Sequence, residues 1–261
     1  MPWDTLTKAL TTGVSSLGLS EGFHEIILVT PEPEGPSSAR ITVVTKYVNE
    51  LLWDKDATRT ARRPNHRQLY RALRLAPASK AFTGELFEPA FQRLCVRGNK
   101  KVILHPMNRT SVGPIKYEFV TSRETVSETL ELHPRILLTF NRRSPILSLN
   151  ANRYYRPTVH SYDDSYDSFI YDPNFSRVTT FQVTDAINHA VKPKGLYDLR
   201  DVARRSGINV HGLNFRFIIV TSEGSKVTCT VEKTVYDELE LEMYSLEVAE
   251  GDLYDEWCMS S

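Results

Sequence analysis

Cysteine is scarce in this chain: three in 261 residues, at Cys95, Cys229 and Cys258, each far from the next. No Cys-x-x-Cys pair or Cys/His cluster occurs, so the spacing of a thiolate zinc site is missing. Three widely separated thiols suit a reducing compartment. No apolar run reaches the ~20 residues a bilayer-spanning helix requires. The amino-terminal stretch lacks a basic start followed by an apolar core, so the expectation is an intracellular chain, cytoplasmic or nuclear, with no signal peptide and no membrane partner. A Gly-x-x-x-x-Gly-Lys-Ser/Thr loop is absent, which excludes ATP hydrolysis by that route. The missing Gly-x-Ser-x-Gly elbow disfavours acyl hydrolysis. Net charge is missing too, since 32 basic and 32 acidic residues cancel, and no bulk basicity advertises nucleic acid.

What is present is unevenly spread. Between Ala57 and Lys80 stand seven basic residues and no acid, and between Val231 and Glu256 stand ten acids and one lysine. Such segments can serve different partners, although charge runs are commonly solvated faces. Arg63, Arg67 and Arg71 lie in a helical pattern that leaves the arginines opposite Leu69, Ala72 and Leu73, a candidate DNA-contacting face. The acidic carboxyl-terminal segment is a candidate surface for a protein partner.

Periodicity supplies the elements. Phe23 to Thr30 and Ala39 to Val48 read as strands. From Lys80, the residues Leu86, Phe87, Ala90, Phe91, Leu94 and Cys95 follow the helical period, and Gly98 is the stop. Strands are expected at "KKVILHPM", "IKYEFVTS" and "RILLTF", then over Asp167 to Tyr171 and Arg177 to Thr184. A helix from about Gly195 to Arg205 precedes the apolar strand Asn214 to Thr221. "VYDELELEMYSLEV" is ambiguous between strand and helix. The order helix, strands, helix, strand predicts an α/β (α+β) arrangement, one mixed sheet flanked by helices. The division expected is a small α+β extension with a basic helix over residues 1–78, then the main domain over 79–261.

The stretch "SYDSFIYDPNFSRVTTFQVT", Ser165 to Thr184, reads as a hairpin with Asp167 opening one strand and Gln182 closing the next. Magnesium takes hard oxygen ligands, one or two carboxylates with several waters, and lowers the pKa of an attacking water. Asp167 and Gln182 with a helix acid at Glu88 could form such a set, and a satisfied surface hairpin is the plainer alternative. His189 reads as a structural histidine before a base. Tyr154, Tyr155 and Arg156 offer stacking and phosphate contacts if exposed, and packing if the strand is buried.

Four segments together resemble a known family. "SKAFTGELFEPAFQRLCVRG" is similar to the helix that opens the nuclease-like domain of Crinkler effectors and retrotransposon hot spot proteins. "YYRPTVHSYDDSYDSFIYD" resembles their Tyr-x-Pro segment and Asp-initiated strand. "TTFQVTDAINHAVKPKGLYDL" resembles their Gln-x-Thr strand, following His and Gly-Leu helix start. "FHEIILVTPEPEGPSSARITVVTKYVNELL" resembles the element that precedes the domain. The resemblance implies a restriction-endonuclease-like core of the PD-(D/E)XK class. It places Glu88 as the helix acid, Asp167 as the strand acid and Gln182 as the second-strand ligand of Mg2+. Thr184 falls where that class carries its lysine, so Lys192 or Lys194, reaching back from the next helix start, would supply the cation. The function implied is a nuclease-like, DNA-associated effector or conflict domain with magnesium-dependent phosphodiester hydrolysis. The alternative is a catalytically inactive protein- or nucleic-acid-binding module on the same fold.

Overall fold

The computed structural model describes residues 27–31, 39–43, 80–122, 127–140, 146, 148–157, 165–184 and 186–254. The chain divides into two compact units, Met1–Ala90 with Glu250–Ser261, and Phe91–Ala249. In the first unit β1 (Ile27–Pro31) and β2 (Ala39–Val43) pair antiparallel. Helix α1 (Lys80–Arg97) follows, and the division between the units falls within it. Arg63, Arg67 and Arg71 lie outside the described residues, as does most of the expected extension over 1–78.

The second unit continues through β3 (Lys100–Pro106), β4 (Asn108–Val112), β5 (Lys116–Val120), β6 (Glu128–Leu132) and β7 (Ile136–Phe140). Then come β8 (Arg153–Pro157), β9 (Ser168–Asp172), β10 (Arg177–Val183), β11 (Asn188–Ala190) and helix α2 (Pro193–Arg205). A 3-10 turn at Val210–Gly212 leads into β12 (Asn214–Ser222), β13 (Thr228–Glu232), α3 (Lys233–Glu238) and β14 (Glu242–Val248). The short α4 (Glu250–Tyr254) belongs to the first unit. Among the described residues the architecture is mixed α+β. An eight-stranded sheet runs β6-β3-β14-β12-β10-β9-β8-β7, and a four-stranded sheet runs β11-β13-β5-β4. No helix among the described residues is long and apolar enough to cross a membrane.

The expected order of helix, strands, helix, strand is found in α1, the strands to β10, α2 and β12, with the short β11 inserted. Gly98 ends α1 as expected. Its φ is +63°, and an added Cβ would stand 2.2 Å from the His133 carbonyl carbon and the Pro134 nitrogen, so only glycine fits this close crossing. The ambiguous acidic segment resolves into α3 and β14. Glu240, with φ +45°, makes the left-handed break between them.

Side chains alternate across strands, so each face of the large sheet can be followed along its register. One face carries Phe181, whose ring lies 5.4 Å from Phe91 of α1 and 6.4 Å from Tyr154. The other carries Tyr155, Phe169, Val178, Phe217 and Ile219, packed with Leu196, Leu199 and Ala203 of α2 and with Phe119, Cys229 and Val231 of the small sheet. Strand β12 is buried along nearly its whole length, because it pairs parallel with β10 and with β14 and both of its faces are covered.

Candidate functional site

The hairpin β9–β10 positions the two central residues. Asp172, Pro173 and Asn174 are turn formers, and the Asn174 N–H donates to Asp172 Oδ1 at 2.9 Å. From that turn the antiparallel register places Ser168 opposite Phe181. Asp167 is one residue earlier, and its own N–H donates to the Phe181 carbonyl at 2.9 Å. Gln182 and Asp167 therefore share the face covered by α2, as a shared site requires. The part of α1 in the second unit packs on the opposite face through Phe91.

Asp167 is buried, and its carboxylate is engaged by the end of its own hairpin. Oδ2 accepts the Val183 backbone N–H at 2.7 Å and the Gln182 side-chain Nε2 at 2.9 Å. The first bond continues the strand ladder with a side chain where backbone pairing stops. The second directs the nitrogen of the Gln182 amide, not its oxygen, at the carboxylate. Both are charge-assisted bonds, each worth about 1.5–3 kcal/mol where water is excluded.

Thr184 is likewise committed locally. Its N–H donates to the Val220 carbonyl at 2.9 Å, and its hydroxyl accepts the Ala186 N–H at 3.0 Å. Glu88 is half-buried on α1 and belongs to the first unit, whereas Asp167 and Gln182 belong to the second. Among the described residues no group of three or more His, Cys, Asp and Glu could hold a metal ion. Within the second unit the donor set is one carboxylate and one carboxamide turned nitrogen-first. It fits a hard cation only if the amide turns over and presents its oxygen.

The start of α2 lies beside this hairpin. The buried Ser165 hydroxyl donates to the carbonyl of Lys192, the residue that caps the helix. Pro193 opens the helix, where its missing N–H costs nothing. No side chain caps the amino end and its first turn has no acid, while Lys192 and Lys194 are both exposed there. His189 sits alongside on β11. Burial, with the Lys192 charge added, holds its imidazole below the ordinary histidine range, so it is neutral at pH 7. Its Nε2 is buried and has no hydrogen-bond partner among the described residues, in keeping with the structural reading and not with a poised base.

Tyr155 presents no ring to a ligand. It is fully buried, stacks on Phe169 with centroids 4.6 Å apart, and its hydroxyl accepts the Asn150 N–H at 2.7 Å. The stacking contact expected from exposure is replaced by core packing, because β8 is paired on both sides, with β7 and β9. Arg156 is half-buried, and its guanidinium donates to Gln92 Oε1 at 3.1 Å. The acidic segment is partly consumed inside the unit. Glu238 accepts from the Tyr197 hydroxyl, Glu242 pairs with Arg216, and Glu247 accepts the Gly224 N–H.

In the sequence Ser165 is one serine in a Ser/Tyr/Asp-rich stretch and carries no signal of its own. The run Lys192-Pro193-Lys194-Gly195, basic and uncapped at a helix start, was the visible signal beside it. No family model matches the chain, nor does any curated protein or solved structure.

Proposed function

We propose that this chain is a DNA-binding module on a restriction-endonuclease-like frame, in which Asp167 and Gln182 close a hairpin instead of holding a catalytic cation. The observation that carries this reading is the double acceptance at Asp167 Oδ2, from Val183 N–H and Gln182 Nε2. A glutamate at position 182 would repel Asp167 and call for a metal between them. The glutamine present supplies a donor and satisfies the carboxylate without one. The proposed DNA contacts are Lys192 and Lys194 at the start of α2, and the basic segment with Arg63, Arg67 and Arg71, outside the described residues, is a separate candidate. A phosphate at the start of α2 would meet both exposed ammonium groups and the positive end of the helix.

Magnesium-dependent hydrolysis is the second reading, favoured by the common face of Asp167 and Gln182. These two would hold the ion once the amide had turned, and the ion would lower the pKa of a bound water. The two readings part in one experiment. Plasmid and single-stranded DNA are incubated with magnesium or manganese, and binding is followed in parallel by fluorescence anisotropy against salt. The binding reading expects no cutting and an affinity that falls with salt. Lys192→Glu and Lys194→Glu should each weaken binding and lower the log–log salt slope by about 0.9, one phosphate contact apiece. Cutting that Asp167→Asn abolishes would install the hydrolytic reading instead. Absence of DNA binding at low salt would turn attention to a protein partner.

A further inference from the structure

We propose that Ser165 is a positioning residue that holds Lys192, and with it the basic start of α2, against the hairpin end that carries Asp167. The inference rests on the reading of α2 as a DNA contact, and it adds the residue that sets where that contact is presented. Ser165 is 1 % exposed, which is unusual for a serine in a polar segment, and its hydroxyl is spent on the Lys192 carbonyl. Asp167 follows two residues later, so its backbone lies within about 7 Å of Ser165 by chain reach alone.

Lys192 makes no side-chain cap. Its carbonyl has two lone pairs, so it can accept both the Ser165 hydroxyl and a helical N–H. The bond thus fixes the backbone of Lys192 and leaves its ammonium exposed. It is a side-chain link from the segment before β9 to the start of α2. Without the hydroxyl, the lysine keeps its charge but loses its fixed place. His189 reports that place, because the Lys192 charge is one of the two influences that hold its imidazole down.

The test uses the full chain with Ser165→Ala, the near-isosteric Ser165→Cys, the hydroxyl-retaining Ser165→Thr, Lys192→Ala and the double variant Ser165→Ala/Lys192→Ala. The first readout is the His189 imidazole titration by NMR, which requires no DNA. Ser165→Ala and Ser165→Cys should move the midpoint upward, as Lys192→Ala does, and Ser165→Thr should leave it in place. The double variant should match Lys192→Ala alone. The second readout is duplex DNA binding against salt, where Ser165→Ala should lower the slope by about 0.9 and Lys192→Ala should add nothing in that background. An unmoved His189 in both Ser165→Ala and Ser165→Cys overturns the proposal, and so do effects that add. If no variant or wild type binds DNA, the functional reading falls, and the His189 arm still decides the role of Ser165.

Discussion

Arg216→Ala is expected to cost about 3 kcal/mol of folding stability, the lower end of the range for breaking a buried ion pair. Arg216 stands on β12 with its side chain 3 % exposed, and it is the hub of a cluster drawn from three strands. Its guanidinium reaches Glu128 of β6 at 2.9 Å and Glu242 of β14 at 3.1 Å. The same guanidinium lies 4.7 Å above the ring of Tyr244, whose hydroxyl donates to Glu128 at 3.0 Å. Glu128 crosses over β3 to make its contact, so the cluster ties together the order β6-β3-β14-β12.

The cost stays at the low end for a physical reason. The group removed is the buried one, and the two carboxylates left behind are 41 % and 38 % exposed, so water re-solvates them. Glu128→Gln should therefore cost only about 1 kcal/mol, since the arginine keeps Glu242 and an amide oxygen. Urea denaturation measures both. A loss below about 1 kcal/mol for Arg216→Ala would mean that packing alone sets the strand order. The cluster takes no part in the candidate site: it projects from the face that carries Phe181, opposite Asp167 and Gln182.

Much of the frame was legible in residue order because local and tertiary signals agree there. The period from Leu86 to Cys95 and the glycine stop at Gly98 describe α1, and the continuous apolar run from Phe215 to Val220 describes β12. Strand β8 showed only as an aromatic pair whose burial stood open, and β13, like β4, β6 and β11, was not legible. "RYYRP" is short and charged, and it becomes a strand because β7 and β9 pair with both its edges. "TCTVE" buries only Cys229 and Val231, yet β5 and β11 flank it. In β14 the acids Glu242 and Glu247 masked a strand whose Met243, Leu246 and Val248 are buried. Long-range pairing decided these segments, and propensity carries no information about it.

The site divides in the same way. That Asp167 and Gln182 fall on one face follows from hairpin arithmetic, and a reader of residues alone can do it. Which end of the Gln182 amide faces the carboxylate depends on the Val183 N–H beside it, a three-body contact with no imprint in spacing. Tyr155 failed as a surface aromatic for a related reason: the burial of β8 is a property of its neighbours, not of its own residues.

Gln182→Glu is the substitution that puts the hairpin-closing pair under the most direct strain. The present amide donates to Asp167 Oδ2 at 2.9 Å. A carboxylate in its place removes that bond, worth about 1.5–3 kcal/mol, and sets like charges about 3 Å apart. The pair can relieve the repulsion by sharing a proton, so the folded state would bind a proton more tightly than the unfolded chain. Such a raised folded-state pKa gives a penalty that is absent below about pH 4, the unfolded glutamate value, and grows as pH rises through the folded value. Near pH 7 the total loss should be about 3 kcal/mol in EDTA, combining the missing bond with the residual repulsion. A divalent cation replaces the shared proton. With 10 mM magnesium and a millimolar site, the variant should regain about 1.4 kcal/mol. Wild type should gain nothing comparable, because its glutamine already occupies the carboxylate. Thermal denaturation of both proteins from pH 4 to 8, with and without magnesium, gives the answer. Equal stability of the two across that range, indifferent to the metal, would show that the Asp167–Gln182 bond does not close the hairpin. A large magnesium response in wild type would mean that the amide turns over to hold the ion, and the hydrolytic reading would then take precedence.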